Sequence, residues 1–142
     1  DKTHELEDGA KVRVAYQTER AVTWNGSTEN LCGRTLEEDF GLENPEWSQA
    51  AARKPLGLIV KGVAADPSSL AKGLHQKVSR KNFDKTKFAL AVLTENEEAW
   101  HVPAYIRDGL VWLKDEVRIE LETVLPDAVP VAEAGTIGPE HE

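Results

Sequence analysis

The sequence contains one cysteine, Cys32, and no methionine. A single cysteine cannot form a disulfide within the chain, and it excludes a zinc site built from several cysteines. The four histidines are widely spaced and show no metal-ligand pattern. No apolar run is long enough to cross a bilayer, and the sequence shows neither a secretory signal nor a Gly-rich nucleotide-binding motif. We therefore expect a cytoplasmic protein with no membrane partner and, because the first residue is not methionine, a part of a longer protein.

The charged residues are unevenly distributed along the chain. There are 25 acidic and 17 basic residues, and the net charge of −8 argues against a general nucleic-acid coat protein. From Lys72 to Lys87, however, six cations accompany one anion, Asp84. Such a segment forms either a solvated basic face or a strip that contacts phosphates beside an acidic, metal-dependent centre. The residue pattern leaves both interpretations open.

The first third of the chain contains two strand patterns and one helix start. Residues 1–10 are polar and acidic, which predicts a flexible lead-in. Alternating apolar and polar residues predict strands at Val12–Tyr16 and Ala21–Trp24. Thr35 followed three residues later by Glu38 has the form of a capping box and predicts a helix that ends near residue 42.

Later helix starts are marked by proline and aspartate. The sequence predicts these starts at Pro45, at Asp66 and Pro67, at Asp84 and at Pro103. The last helix carries an apolar stripe at helical spacing, formed by Ile106, Leu110, Leu113 and Val117.

Two short apolar segments and the ends of the chain complete the organisation. Leu56–Val60 fits either a strand or a buried helical segment, and Ala99–Val102 is a candidate strand. Strands that alternate with helices indicate an α/β or α+β domain. We assign residues 11–120 to this domain and expect an irregular tail at residues 121–142.

Three side chains at predicted helix starts are candidates for chemistry. Mg²⁺ binds through one or two carboxylates and keeps several waters, and a carboxylate in the first turn of a helix is stabilised by the helix dipole. Glu37 and Glu38 meet both conditions, although acidic residues are common in first turns for capping alone. Lys85, at the start of another helix, can neutralise the charge of a phosphate under attack, although most surface lysines have no specific role.

Several ordered blocks of the sequence resemble a known family. The blocks are Arg13–Gln17, Thr23–Gly26, Glu29–Asn44, Lys81–Leu90 and Trp100–Ile106. Together they resemble the C-terminal Toprim nuclease region of endonucleases of the OLD (overcoming lysogenization defect) family. The Gly-Arg-Thr-Leu-Glu-Glu string in the third block is moderately specific, and the succession of blocks is more so.

The resemblance implies a fold, an activity and a set of roles. It implies a Toprim-like α/β fold with a mostly parallel sheet flanked by helices. It implies a nuclease that cleaves or nicks DNA with two divalent metals, Mg²⁺ or Mn²⁺, for which Ca²⁺ is a non-catalytic substitute. Glu37 matches a metal-ligand glutamate, Glu38 is its neighbour, and Lys85 matches a lysine that stabilises the transition state. Partners implied are DNA, an N-terminal ATPase domain and a second copy in a homodimer.

The sequence departs from the family pattern in its acidic residues. A complete Toprim site also needs an early glutamate and an Asp-x-Asp pair, and this chain contains no Asp-x-Asp. We therefore expect it to be the downstream part of the domain and to supply only part of the active site. The alternative is a non-catalytic acidic fragment that serves as a protein-interaction or dimerisation module through the stripe at Ile106–Val117. A third interpretation is a DNA adaptor that uses the basic residues of Lys72–Lys87 without cleavage.

Overall fold

The computed structural model describes residues 2–62, 64–95 and 99–124, with side chains from residue 3 to residue 119. These residues form a mixed α/β fold with two small antiparallel sheets. The strands are β1 (Lys2–Glu5), β2 (Lys11–Val14), β3 (Arg20–Trp24) and β4 (Ser27–Leu31). The helices are α1 (Leu36–Glu43), α2 (Pro45–Gln49), α3 (Pro67–Val78), α4 (Lys85–Leu93) and α5 (Ala104–Val124), with a 3₁₀ segment at Ala51–Leu56.

The β3–β4 hairpin is closed by a two-residue turn that its sequence favours. Asn25 and Gly26 have φ values of 48° and 79°. Two consecutive positive φ values define the turn that matches the twist of a hairpin, and Asn-Gly is the dipeptide that adopts it most readily. The turn sets the register from Trp24 opposite Ser27 to Arg20 opposite Leu31.

The predicted helix starts are confirmed at three caps. The hydroxyl of Thr35 accepts a hydrogen bond from the backbone N–H of Glu38 at the start of α1. The carboxylate of Asp66 caps α3 in the same way at 2.7 Å, and that of Asp84 caps α4 at 2.9 Å. Each cap satisfies a backbone donor that has no partner within its own helix. The caps therefore fix where α1, α3 and α4 begin.

The core lies between α1, α3 and α4. Phe40 of α1 is at its centre, and its ring lies 5.5 Å from the rings of both Phe88 and Trp100. The fully buried leucines of α3, Leu70 and Leu74, pack into the same cluster. The first turns of α1 and α4 are consequently held at one edge of this core.

Several sequence-based expectations about the elements are wrong. Part of the predicted lead-in is a strand, because Lys2–Glu5 pair with β2 in an antiparallel ladder. The tail is not irregular from residue 121, because α5 continues to Val124, and the remainder of the predicted tail lies outside the described residues. The candidate strand at Ala99–Val102 forms no strand in the described residues.

The expected parallel sheet is not found within the described part of the chain. Both sheets are antiparallel pairs of strands that are adjacent in sequence. Parallel pairing needs a long crossover between strands, whereas these strands are joined by short connections.

The ambiguous segment Leu56–Val60 completes the 3₁₀ segment and then runs as an irregular chain in which Leu58 is fully buried.

None of the described helices combines the length and the apolar composition needed to span a lipid bilayer.

Candidate functional site

The first turn of α1 buries three consecutive carboxylates. Glu37, Glu38 and Asp39 are only 5 %, 1 % and 1 % exposed. The start of a helix favours negative charge, but a buried carboxylate is costly unless it finds hydrogen bonds or a cation. Successive helical residues point about 100° apart, so the three side chains leave α1 in different directions. Each carboxylate therefore contacts a different element of the fold.

Glu37 meets α4. Its Oε1 atom lies 3.3 Å from the Nζ atom of Lys85, at the helix start that the sequence had identified. The Lys85 side chain is 64 % exposed, whereas that of Glu37 is 6 % exposed. The structure thus brings together two predicted site residues that are distant in sequence, with the ammonium on the solvent side of the pair.

The surroundings of Glu37 favour its ionised form. Burial raises the pKa of the carboxyl, but hydrogen bonds from its own backbone N–H, from Thr35 and from Lys85 outweigh burial and hold the pKa below its usual value. The second oxygen, Oε2, is buried and has no hydrogen-bond partner. A buried carboxylate oxygen without a donor is a position where a cation or a donor from a ligand would be favourable.

Glu38 meets α3 instead. Its Oε2 atom accepts a hydrogen bond from the backbone N–H of Arg34 and lies 3.3 Å from Nδ1 of His75. This carboxylate has partners on the side of α3, whereas that of Glu37 has its partner on α4. The two predicted metal ligands are neighbours in sequence, but the structure gives their carboxylates separate surroundings.

Asp39 meets β3. Its Oδ1 atom accepts a hydrogen bond from the N–H of Gly33, and its Oδ2 atom lies 3.7 Å from the guanidinium of Arg20. Burial raises the pKa of this carboxyl, and the charge of Arg20 only partly offsets the effect. A Cβ atom at Gly33 would lie 2.5 Å from the backbone of Asp39, so only glycine allows this close approach.

Tyr105 of α5 lies close to the same acidic turn. Burial raises the pKa of its phenol, and the negative charges of Asp39 and Glu37 raise it further. Sequence reasoning did not identify Tyr105, Arg20 or Asp39 as members of this centre. The run of acidic residues was the sequence feature that pointed to Asp39. Arg20 and Tyr105 gave no such signal, because they belong to elements that are remote in sequence.

The residues present fit a divalent cation only in part. Within residues 2–62, 64–95 and 99–124, no group of three or more His, Cys, Asp or Glu side chains is arranged to hold a metal ion. Glu37 nevertheless offers one buried oxygen without a donor, and Mg²⁺ commonly uses one or two protein carboxylates with water in its other positions. The described part of the chain therefore presents Glu37 as a candidate ligand rather than a complete metal centre.

Five of the six cations of the predicted basic strip lie at three different places. Lys85 contacts Glu37, and Lys72 lines a shallow depression beside His75. Lys77, Arg80 and Lys87 line another, larger depression. The cations that are close in sequence thus do not form one continuous face.

Comparison of the chain with protein-family models, with curated proteins and with solved structures finds no match.

The lowered pKa of Glu37 makes a prediction about stability. Because the folded-state pKa lies below the unfolded-state value of 4.5, the ionised carboxyl stabilises the fold above that pH, and this contribution is lost as the pH falls through the folded-state pKa. We expect Glu37→Gln to reduce the free energy of unfolding at pH 7 by on the order of 1 kcal/mol. The reduction should shrink as the pH is lowered below 4.5.

Urea unfolding at a series of pH values measures this difference. The control is Glu46→Gln, which removes an exposed carboxylate from the first turn of α2. This variant should show little effect at any pH. An effect of Glu37→Gln that is the same at pH 7 and at pH 3 would contradict the assignment.

Proposed function

We propose that this chain supplies part of the active site of a divalent-metal-dependent, Toprim-type DNA endonuclease or nickase. In this proposal Glu37 is a metal ligand and Lys85 is the cation that stabilises the transition state. The observation that carries the proposal is the 3.3 Å contact between Glu37 and Lys85, at the starts of two helices packed on one core. Metal-dependent hydrolysis of a phosphodiester uses carboxylates to hold the metal and can use a cation near the phosphate, and this pair provides one of each.

The properties of the two side chains suit these roles. Glu37 is ionised, buried and fixed by hydrogen bonds, and its Oε2 atom has no donor. A bound Mg²⁺ or Mn²⁺ would supply an activated water and would offset the charge of the leaving oxygen, whereas Ca²⁺ would bind without supporting cleavage. The ammonium of Lys85 is exposed, so a phosphate oxygen can reach it without displacing the Glu37 carboxylate from its hydrogen bonds.

Glu38 has weaker support as a metal ligand. Its carboxylate already accepts from Arg34 and contacts His75, so it would have to leave these partners to bind a metal beside Glu37. In the proposal Glu38 is primarily a residue that joins α1 to α3, and Glu37 is the ligand that this chain contributes.

The remaining ligands must come from other residues. The family that the sequence resembles uses an early glutamate and an Asp-x-Asp pair on a mostly parallel sheet. We propose that a segment upstream in the parent protein, following an ATPase domain, provides these carboxylates and the parallel strands. The described residues would then form the downstream edge of a Toprim-like domain and would complete its site with Glu37 and Lys85.

The proposal predicts that two substitutions abolish most cleavage in the parent protein. Glu37→Gln removes a metal ligand and Lys85→Ala removes a transition-state cation. Each should lower the rate of nicking of supercoiled plasmid with Mg²⁺ or Mn²⁺ by about 100-fold or more, the loss typical for removal of one group that stabilises a transition state. Gel separation of supercoiled, nicked and linear plasmid measures the rate.

The controls change the same charges outside the site. Glu46→Gln and Lys61→Ala alter exposed side chains on α2 and on a loop. Both variants should nick plasmid at the rate of the unsubstituted protein. Wild-type rates in both Glu37→Gln and Lys85→Ala would refute the assignment of the active site.

A second candidate function has its own observation. The apolar stripe predicted on the last helix is largely exposed, with Leu110, Leu113 and Val117 between 46 % and 60 % accessible. Monomeric proteins rarely leave a contiguous apolar face uncovered. The stripe is flanked by charges of both signs at Asp108 and Lys114, which permits the same face of a second copy to pair with it around a two-fold axis. A homodimer is the occupant that we propose for this face.

The dimer is tested by sedimentation. The chain should sediment as a dimer at micromolar concentration, and Leu113→Glu should convert it to a monomer because a charge would be buried at the interface. Gln76→Glu, which adds the same charge to an exposed position of α3, should leave the dimer intact. A wild-type chain that is monomeric at all concentrations would contradict this function.

A further inference from the structure

An open groove with a basic lining lies between α3, the start of α4 and the 3₁₀ segment. Its volume is about 750 Å³, within the range of about 300–1,000 Å³ that is typical of ligand clefts. We call it the basic groove and define it by six lining residues. These are Lys54, Lys77, Arg80, Phe83, Asp84 and Lys87.

The cations of the basic groove come from separate elements. Lys54 belongs to the 3₁₀ segment, Lys77 to the last turn of α3 and Lys87 to the first turn of α4, while Arg80 lies in the turn between the two helices. The sequence strip alone did not include Lys54, because only the fold brings it beside the others. Four cations that converge from these places produce a positive potential concentrated in one concave surface.

The positive charges of the groove are not neutralised by ion pairs within the described part of the chain. None of the four side chains forms an ion pair with a carboxylate there. The one acidic residue of the lining, Asp84, is engaged as the cap of α4 through the N–H of Lys87. The groove therefore has a surplus of three positive charges that an anionic ligand would neutralise.

An aromatic ring forms part of the same lining. Phe83 is half-buried, and its ring lies against Gly57, where a Cβ atom would be 3.4 Å from Cε2. Gly57 has a φ of 74°, a left-handed conformation that glycine adopts without strain. Phe88 supports the ring at a centroid distance of 6.2 Å. The ring is thus held in place by packing while part of it remains open to the groove.

The basic groove and the Glu37–Lys85 pair each take one lysine from the first turn of α4. Lys85 and Lys87 are both in the first turn of α4, where the side chain of Lys85 contacts Glu37 and that of Lys87 lines the groove. Side chains two residues apart in a helix point about 200° apart, and neither Glu37 nor Lys85 lines the groove, so the groove and the pair lie on different sides of this helix start.

We propose that the basic groove binds single-stranded DNA, with the four cations on the phosphates and Phe83 stacked on an unpaired base. The combination of a positive groove with an aromatic platform is the means by which proteins bind single strands without sequence preference. An acidic peptide would complement the positive charges of the groove, but it would give no role to the open part of the Phe83 ring. The assignment of the strand as substrate of the Glu37–Lys85 pair rests on the proposed function, whereas binding to the groove does not.

The first experiment measures the electrostatic part of binding. Fluorescence anisotropy follows a labelled strand of about twelve thymidine nucleotides in EDTA, where no metal contributes. The double variant Arg80→Ala/Lys87→Ala should bind more weakly and should reduce the slope of log affinity against log salt by about 1.4, since each contact to a single strand contributes about 0.7. Lys61→Ala/Lys72→Ala removes the same charge from exposed positions outside the groove and should leave the slope unchanged.

The second experiment tests the stacking role. Phe83→Leu keeps an apolar side chain against Phe88 but removes the stacking surface, and it should weaken binding about tenfold with the salt slope unchanged. Polyglutamate of equal charge should compete poorly with the labelled strand. Binding unaffected by Phe83→Leu, equal competition by polyglutamate or by duplex DNA, or an equal loss in the Lys61→Ala/Lys72→Ala control would each overturn the proposal.

The outcomes separate the groove from the proposed nuclease. Binding in EDTA that depends on Arg80, Lys87 and Phe83 supports the groove even if the parent protein cleaves no DNA. If cleavage depends on Glu37 and Lys85 but binding of the single strand is unchanged by the groove substitutions, the proposal for the groove is overturned and the proposed nuclease function stands.

Discussion

Three buried carboxylates at the start of α1 join the parts of the structure to one another. Glu37 contacts Lys85 of α4, Glu38 contacts His75 of α3, and Asp39 lies beside Arg20 of β3. Removal of a buried partner alone typically costs about 3–5 kcal/mol because an uncompensated charge is left behind, and among these partners this applies to Arg20, which is 17 % exposed, rather than to Lys85, which is 64 % exposed. The arrangement of β3, α3 and α4 around α1 is therefore constrained by charge as well as by the packing of Phe40.

The three contacts differ in the burial of the basic partner, and the carboxyls of Glu37 and Asp39 differ in the direction of their pKa shifts. Both differences set Glu37 apart. Asp39 and Glu38 each accept a hydrogen bond from a backbone N–H in the chain that enters α1 and lie beside a basic side chain from a neighbouring element. Glu37 has a mostly exposed partner and an oxygen with no donor. Oδ2 of Asp39 is also buried without a hydrogen-bond donor, but it lies 3.7 Å from the guanidinium of Arg20, and burial raises the pKa of its carboxyl. Glu37 instead combines a lowered pKa with a donorless oxygen and a cation that is open to solvent, which are the properties expected of a ligand-binding group.

The sequence predicted the local features of this centre and missed the distant ones. Capping residues such as Thr35 and Asp84 act over three or four residues, so the starts of α1 and α4, and with them the positions of Glu37 and Lys85, could be read from the chain. The partners Arg20 and His75 depend on how β3 and α3 pack against α1, which periodicity does not encode. The same limit explains why Lys54 was not grouped with Lys77 and Arg80, and why antiparallel hairpins were not distinguished from strands of a parallel sheet.

The central claim is that the free oxygen of Glu37 binds a divalent metal beside Lys85, and paramagnetic broadening by Mn²⁺ tests it most directly. Backbone amide resonances recorded during a Mn²⁺ titration reveal which residues lie near the bound ion. The account predicts that resonances of the first turns of α1 and α4 broaden first, and that Glu37→Gln removes this selectivity while the rest of the spectrum is preserved. Broadening centred elsewhere, or identical broadening in Glu37→Gln, would contradict it.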